Sequence, residues 1–308
     1  MKVSVHDGLR MKVRIGYGLG TQGLVNDGGE FGAIVDALED LGFDSVWVSE
    51  RATSPTLDPL VALSFVAGRT RRVKLGTSVQ VLPGRNPVLL AKAWASLDRV
   101  SGGRALPAFG LGVADPAEQQ AFGVARGERA ALFDEALALM RRLWSEEAVD
   151  HDGEHFSYRG LTMEPKPVQG RLDVWLGGRA PSELRRVGRL GDGWLPSFTT
   201  PVDVERGRKL VEEAASEAGR AMDPEHWGAL VAYSHGPLPD RFRALMAQRF
   251  PEADPSNLIP VGHEALRARL QAYTDVGFSK LVPVLLGNAD DWSQELERLS
   301  DAVLDLQN

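Results

Sequence analysis

Four short segments of this chain combine residue type and spacing in ways that could do chemistry: Glu50-Arg51, Thr77-Ser78-Val79, Leu111-Gly112 and Gly177-Gly178-Arg179-Ala180-Pro181-Ser182. The last is the most explicit. Two glycines lead out of an apolar run into a helical pattern, so backbone N–H groups and the positive end of a helix dipole converge, and Arg179 adds a mobile guanidinium. Such a set is an anion cradle, and a cofactor phosphate is its natural occupant. The plainer alternative is a loop that needs its glycines only to turn, with Ser182 as the helix cap. Glu50-Arg51 sets a carboxylate beside a guanidinium at the end of a β-prone run, and Ser78-Val79 sets a small hydroxyl and a β-branched side chain near the end of another. Leu111-Gly112 ends a third, where bare backbone would let a flat ligand approach closely.

The elements that must position these residues alternate along the chain. Strands are expected at 13–17, 44–49, 73–82, 105–113, 172–176, 193–196, 226–233 and 280–286, and helices at 31–41, 58–67, 87–100, 129–144, 181–190, 202–218, 263–276 and 291–306. Most of the strands are continuous apolar runs, as they are when both faces are covered. The alternation predicts parallel pairing with right-handed crossovers, and eight such units close into an α/β fold of the (β/α)8 TIM-barrel type. In that fold function gathers at the carboxyl ends of the strands, where the candidate segments fall. A single barrel domain is expected over 11–308, beginning at a second Met11-Lys12-Val13, with 1–10 as an N-terminal extension. Insertions are expected after the fourth strand (114–128) and the seventh (234–262), and a hairpin turning at Asp152-Gly153 before the fifth.

Composition narrows the function. The chain has 308 residues, of which 43% are hydrophobic and 25% charged, the usual balance of a globular protein with a sizeable core. It has no cysteine, which excludes disulfides, thiolate metal ligands and cysteine nucleophiles and fits a cytoplasmic protein. A net charge of -7 gives nucleic acid no global attraction, and no run reaches the length of a membrane span. The densest basic group, Arg185-Arg186 with Arg189, reads as the solvated face of a helix.

A set of motifs spread over nearly the whole chain from Met11 carries a resemblance. Leu75-Gly76-Thr77-Ser78-Val79, Asn86-Pro87 with Leu97-Asp98 and Ser101-Gly102-Gly103-Arg104, Pro165-Lys166-Pro167-Val168-Gln169, Leu176-Gly177-Gly178 and Gly191-Asp192-Gly193-Trp194 occur in the order seen in the luciferase-like monooxygenase superfamily. The chain most resembles its actinobacterial branch of oxidoreductases that use the deazaflavin coenzyme F420. The resemblance implies a cytoplasmic homodimer, a cofactor ring resting on Thr77-Ser78-Val79, and a non-proline cis peptide at Ser78-Val79. It also implies a cofactor phosphate near Gly177-Gly178-Arg179, hydride transfer to or from a small organic substrate, and no metal. FMN is the alternative cofactor, and with it the reaction would be a monooxygenation. Some sugar-phosphate dehydrogenases of the superfamily carry Asp-His after the second strand and Glu after the fourth, where this chain has Glu50-Arg51 and Val113. The expected histidine proton donor is therefore missing. Glu50 is left to position the ring and Arg51 to bind an anionic substrate or the reduced cofactor; both could equally be rim charges, and Asp115 is a fallback acid. A catalytically idle flavin-binding barrel is the non-enzyme alternative.

Three rival signals remain. Gly18-Leu19-Gly20-Thr21-Gln22-Gly23 matches a dinucleotide-binding fingerprint, but the residues that follow do not open a helix directly after the third glycine. His151 and His155 straddle the Asp-Gly turn and are expected on opposed hairpin arms rather than on a metal. His235 lies near the end of the seventh strand, either facing the pocket or as an ordinary loop histidine. The tryptophans Trp47, Trp94, Trp175 and Trp194 are expected mostly in the core.

Overall fold

A computed structural model describes residues 11–21, 28–238, 240–249 and 255–308. The expected extension 1–10 and the last two residues of the glycine fingerprint, Gln22 and Gly23, lie outside the described residues. The strands are β1 (Arg14–Gly18), β2 (Ser45–Val48), β3 (Lys74–Thr77), β4 (Gln80–Val81), β5 (Ala105–Leu106), β6 (Ala108–Gly110), β7 (Ala148–Asp152), β8 (Ser157–Thr162), β9 (Trp175–Leu176), β10 (Gly193–Trp194), β11 (Gly228–Tyr233) and β12 (Lys280–Leu285). The expected third strand is broken into β3 and β4 at Ser78-Val79, and the fourth into β5 and β6 at Pro107, which has no N–H to give a ladder.

Parallel pairing runs β11-β12-β1-β2-β3-β5 and then β4-β6-β9-β10. Parallel bridges Trp194–Trp227 and Ser197–Leu230 join β10 to β11 and close the ring. With β3/β4 and β5/β6 each forming one stave, the architecture is an eight-stave parallel barrel wrapped by helices. The hairpin β7–β8 is antiparallel and stands outside it. Among the described residues no helix is long and apolar enough to cross a membrane.

Inside the barrel Trp47, Leu106, Ala108, Trp175, Leu195, Val282 and Val284 form a separate apolar plug. Two indoles fit because their neighbours lack side chains: a Cβ on Gly76 would sit 2.3 Å from Trp47, and one on Gly193 would sit 2.4 Å from Trp175. Several of the recurring motif residues are fixed by packing. Asn86 caps the helix Pro87–Ser101 by accepting the Val88 and Leu89 N–H groups, and Gly102 ends it in the left-handed conformation. Buried Asp98 accepts from the Gln169 backbone and side-chain amides at 3.2 and 2.7 Å, tying that helix to the segment after the hairpin. The basic group at 185–189 is not simply a solvated face: Arg186 is buried, and it and Arg189 both pair with Asp134.

Candidate active site

A cavity of about 760 Å³ opens at the carboxyl end of the barrel. It lies within the size range of small-molecule sites. Val79, Leu195, Leu230 and Val284 line it and also crown the apolar plug, so they make its floor.

The Ser78-Val79 peptide is cis. Strand β2 and its end hold the segment: the Ser78 N–H donates to the Val48 carbonyl at 2.9 Å, Ser49 Oγ reaches the Ser78 carbonyl and hydroxyl at 3.1 Å each, and the Glu50 N–H donates to the Val79 carbonyl at 3.3 Å. The Val79 side chain lines the barrel mouth, between β6 and the end of β9. A Cβ on Gly110 would lie 2.5 Å from a Val79 methyl, and one on Gly177 would lie 3.1 Å from the other. Gly110 therefore leaves the room that Val79 occupies, Gly177 packs closely against the same side chain, and both glycines also line the cavity themselves. That adds a packing role to the simple reading of bare backbone at a pocket rim.

Of the residues singled out from sequence, Glu50, Arg51, Ser78, Val79, Leu111, Gly112, Gly177, Gly178, Arg179 and Ala180 line the cavity. Thr77 does not. Its side chain is buried between staves, donating to the Ala108 carbonyl at 2.7 Å and accepting the Ala108 N–H at 2.9 Å, so it repairs the ladder where the third stave breaks. Ser182 does not line it either. It is exposed and is not the helix cap; the N-cap position belongs to Ala180. The carboxylate of Glu183 accepts the Arg179 and Ala180 N–H groups at 2.8 and 2.9 Å. Two donors of the expected anion cradle are thus engaged by a carboxylate of the chain itself. Arg179 Nη1 donates to the carbonyl of Phe198, whose φ of 52° is unusual for a residue with a side chain.

Two glutamates at this mouth have opposite environments. Glu118 is buried, yet its carboxyl is held below its ordinary value. Burial pushes it up, but the Thr53 hydroxyl at 2.6 Å, the Thr53 and Ala52 N–H groups and Arg51 outweigh that. Glu50 is pushed up: burial dominates, while Arg85 and the Val81 N–H, 2.7 Å away, pull against it. A carboxyl facing a cavity with a raised pKa is a candidate proton-handling group. Arg51 pairs with Asp115 at 3.4 Å and lies 3.7 Å from Glu118, and its buried Nε has no hydrogen-bond partner among the described residues. Asp115 caps the helix Pro116–Phe122, accepting the Ala117 N–H at 2.9 Å.

Sequence reasoning missed Glu118, Arg126, Glu183, Phe242 and Met246, all of which line the cavity, whereas Phe198, which also lines it, follows an expected strand end. Only Glu118 had a local signal, as the fourth residue of Asp115-Pro116-Ala117-Glu118 in a capping pattern. His235 is not among the lining residues; its imidazole pairs with Glu295. His151 pairs with Glu135 from the hairpin.

The luciferase-like monooxygenase family model matches residues 8–278. An F420-dependent glucose-6-phosphate dehydrogenase of Kineococcus radiotolerans is 35% identical over 167 residues, 51% of this chain and 49% of that protein. The chain spans less than two thirds of the length of the curated relatives it matches. Among solved structures, the coenzyme F420-dependent tetrahydromethanopterin reductase of Methanopyrus kandleri superposes with a TM-score of 0.78 at 18% identity, covering 96% of this chain and all of that one. The oxygenating constituent of 3,6-diketocamphane monooxygenase of Pseudomonas putida, in complex with FMN, superposes with a TM-score of 0.74 at 19% identity, covering 97% of this chain and 99% of that one.

Proposed function

The chain belongs to the luciferase-like monooxygenase family, and on that premise we propose that it is an F420-dependent oxidoreductase acting on a small organic substrate. The observation that carries this reading is the apolar floor made by Val79, Leu195, Leu230 and Val284 beneath a cavity with a charged rim. The floor offers a flat, dry seat for one face of a ring, and the rim offers Ser49, Glu50 and Arg51 at its edge. A deazaflavin bound there would supply the hydride chemistry.

The chain's own residues orient, exclude water and handle protons. Val79, Leu195, Leu230 and Val284 keep water from beneath the ring. Glu50, with its raised carboxyl pKa, holds or releases the proton that must accompany hydride transfer, in place of the missing histidine. Arg51 and Arg126 set positive charge at the rim, favouring the anionic form of a reduced cofactor. The cofactor phosphate is proposed to lie against Gly177-Gly178-Arg179, beside Glu183. The same proposal includes a cytoplasmic homodimer, on family likeness and the absence of cysteine. A second reading, FMN on the same floor, is supported by the fold shared with the FMN-bound monooxygenase.

Titrating the purified protein with F420 and, separately, with FMN, while following cofactor fluorescence, tests this. Saturable quenching with F420 and none with FMN is expected. Saturation with FMN alone would replace the proposal with the monooxygenase reading, and binding of neither would leave an idle barrel.

A further inference from the structure

Three side chains that the cavity does not use meet behind its wall. His235 follows β11, His263 lies in the first turn of the helix Gly262–Asp275, and Glu295 lies in the first turn of the helix Trp292–Val303. The backbone brings the two histidines side by side: the Ser234 N–H donates to the Pro260 carbonyl at 3.1 Å, and the Gly262 N–H donates to the Ser234 carbonyl at 2.8 Å. His263 Nε2 is 3.0 Å from Glu295 Oε1 and His235 Nε2 is 2.8 Å from Glu295 Oε2. One ligand atom from each residue falls within 4.8 Å of the other two.

The Glu295 side chain is 6% exposed. Among the described residues no permanently charged cation faces this carboxylate, and the two imidazoles pair with it as cations only when protonated. Its remaining contact is the Tyr233 hydroxyl, which donates to Oε1 at 2.6 Å. A carboxylate taken this far from water needs a positive partner. Two imidazole nitrogens aimed at it can supply lone pairs to a cation that bridges all three. Two nitrogens and one carboxylate oxygen are a zinc-type donor set, and the tyrosine is the outer partner that orients the carboxylate. Burial is graded, with His263 18% and His235 46% exposed, so one side stays open for entry and for a water ligand.

We propose that His235, His263 and Glu295 bind one divalent transition-metal ion of the zinc class. The ion would clasp the end of β11 to two outer helices. Its outer partner Tyr233 adjoins the cavity wall, because Ala232 lines the cavity and the Leu286 N–H, from another lining residue, donates to the Tyr233 carbonyl at 2.8 Å. The role is structural support of that wall, separate from the cofactor seat.

The untagged full chain, stripped with a chelator and free of cofactor, is titrated with cobalt(II) and then zinc(II). One equivalent of cobalt should bind with visible d–d absorption, and one equivalent of zinc should bleach it. His263→Gln should weaken zinc binding by at least about 100-fold and Tyr233→Phe by about 10-fold. His235→Gln, at a half-exposed position that tolerates change, should lose the cobalt spectrum while keeping the native circular dichroism. His151→Gln should change nothing. Absence of stoichiometric uptake by the parent chain, or uptake that survives His235→Gln and His263→Gln alike, overturns the site. Because no cofactor takes part, that outcome is distinct from failure of the F420 reading.

Discussion

At the amino-terminal mouth of the barrel, Asp192 takes Arg141 at 2.6 Å, Arg220 at 3.2 Å, Arg171, and the Val174 N–H at 2.9 Å. Arg104 there donates to five oxygens of its own neighbourhood, the Ala67, Thr70, Val73 and Ser101 carbonyls and the Thr70 hydroxyl. Buried Lys280 pairs with Asp44, although burial pulls its ammonium down to about 8. At the carboxyl mouth, Glu50, Arg51 and Glu118 also pair, but around a cavity rather than across a seam. Both mouths bury charge. In the first, Asp192, Arg104 and Lys280 are closed in by protein partners; in the second, Glu50 and Arg51 keep a side turned to the cavity. This division of labour between stability and function is the one expected of a (β/α)8 barrel.

The sharpest way to break the contrast is Asp192→Ala. It leaves the guanidiniums of Arg141 and Arg220 without their carboxylate and should cost about 3–5 kcal/mol, discounted by the exposure of Arg171. Urea unfolding measures it. Turnover per folded molecule should be unchanged. A loss below about 1 kcal/mol would mean that the lower mouth is no more structural than the upper.

Glu50→Gln is the matching change at the other mouth. It keeps the shape and the acceptor for the Val81 N–H but loses the charge facing Arg85, so stability should fall by only about 1–2 kcal/mol. Turnover should fall by about 100-fold, the smaller end of what a positioned acid or base contributes. The pH profile sharpens the point. Burial raises the Glu50 pKa, so the proton is held to higher pH than in an ordinary carboxyl. In the reductive direction kcat/KM should therefore fall as pH rises through that raised value, and the variant should lose that limb. An identical profile in parent and variant would reduce Glu50 to a rim charge.

How far the sequence reached follows the same line. The barrel was legible because apolar runs alternate with helical periods, whereas the cis peptide at Ser78-Val79 was implied by the resemblance alone and the break it sits in was not expected in the strand 73–82. Thr77 and Ser182 lie off the cavity for a local reason. A strand break decides which way a hydroxyl points, and a glutamate three residues into the helix outcompeted serine for the cap. Glu183, Met246 and the partnership of His263 with Glu295 were not legible, because only the closed fold brings those helical residues to the strand ends. Arg104 and Asp192 could be recognised as recurring letters, yet their work, tying loops at the lower mouth, depends on partners such as Thr70, Arg141 and Arg171, 34, 51 and 21 residues away.

The smallest expected effect tests where the two kinds of charge meet. Glu183 caps the helix Pro181–Leu190 from inside the cavity, satisfying the Arg179 and Ala180 N–H groups as a structural carboxylate would, yet at the place proposed for an anionic ligand. Glu183→Gln keeps an oxygen for those N–H groups and removes the negative charge. If the cofactor phosphate lies there, repulsion is relieved and F420 should bind a few-fold more tightly, with a loss of less than about 1 kcal/mol in stability from the weaker cap. Fluorescence titration at two salt concentrations checks it, because the gain should shrink as salt screens the repulsion. Affinity unchanged at low salt would move the phosphate away from Gly177-Gly178-Arg179 and leave this helix end as structural as the lower mouth.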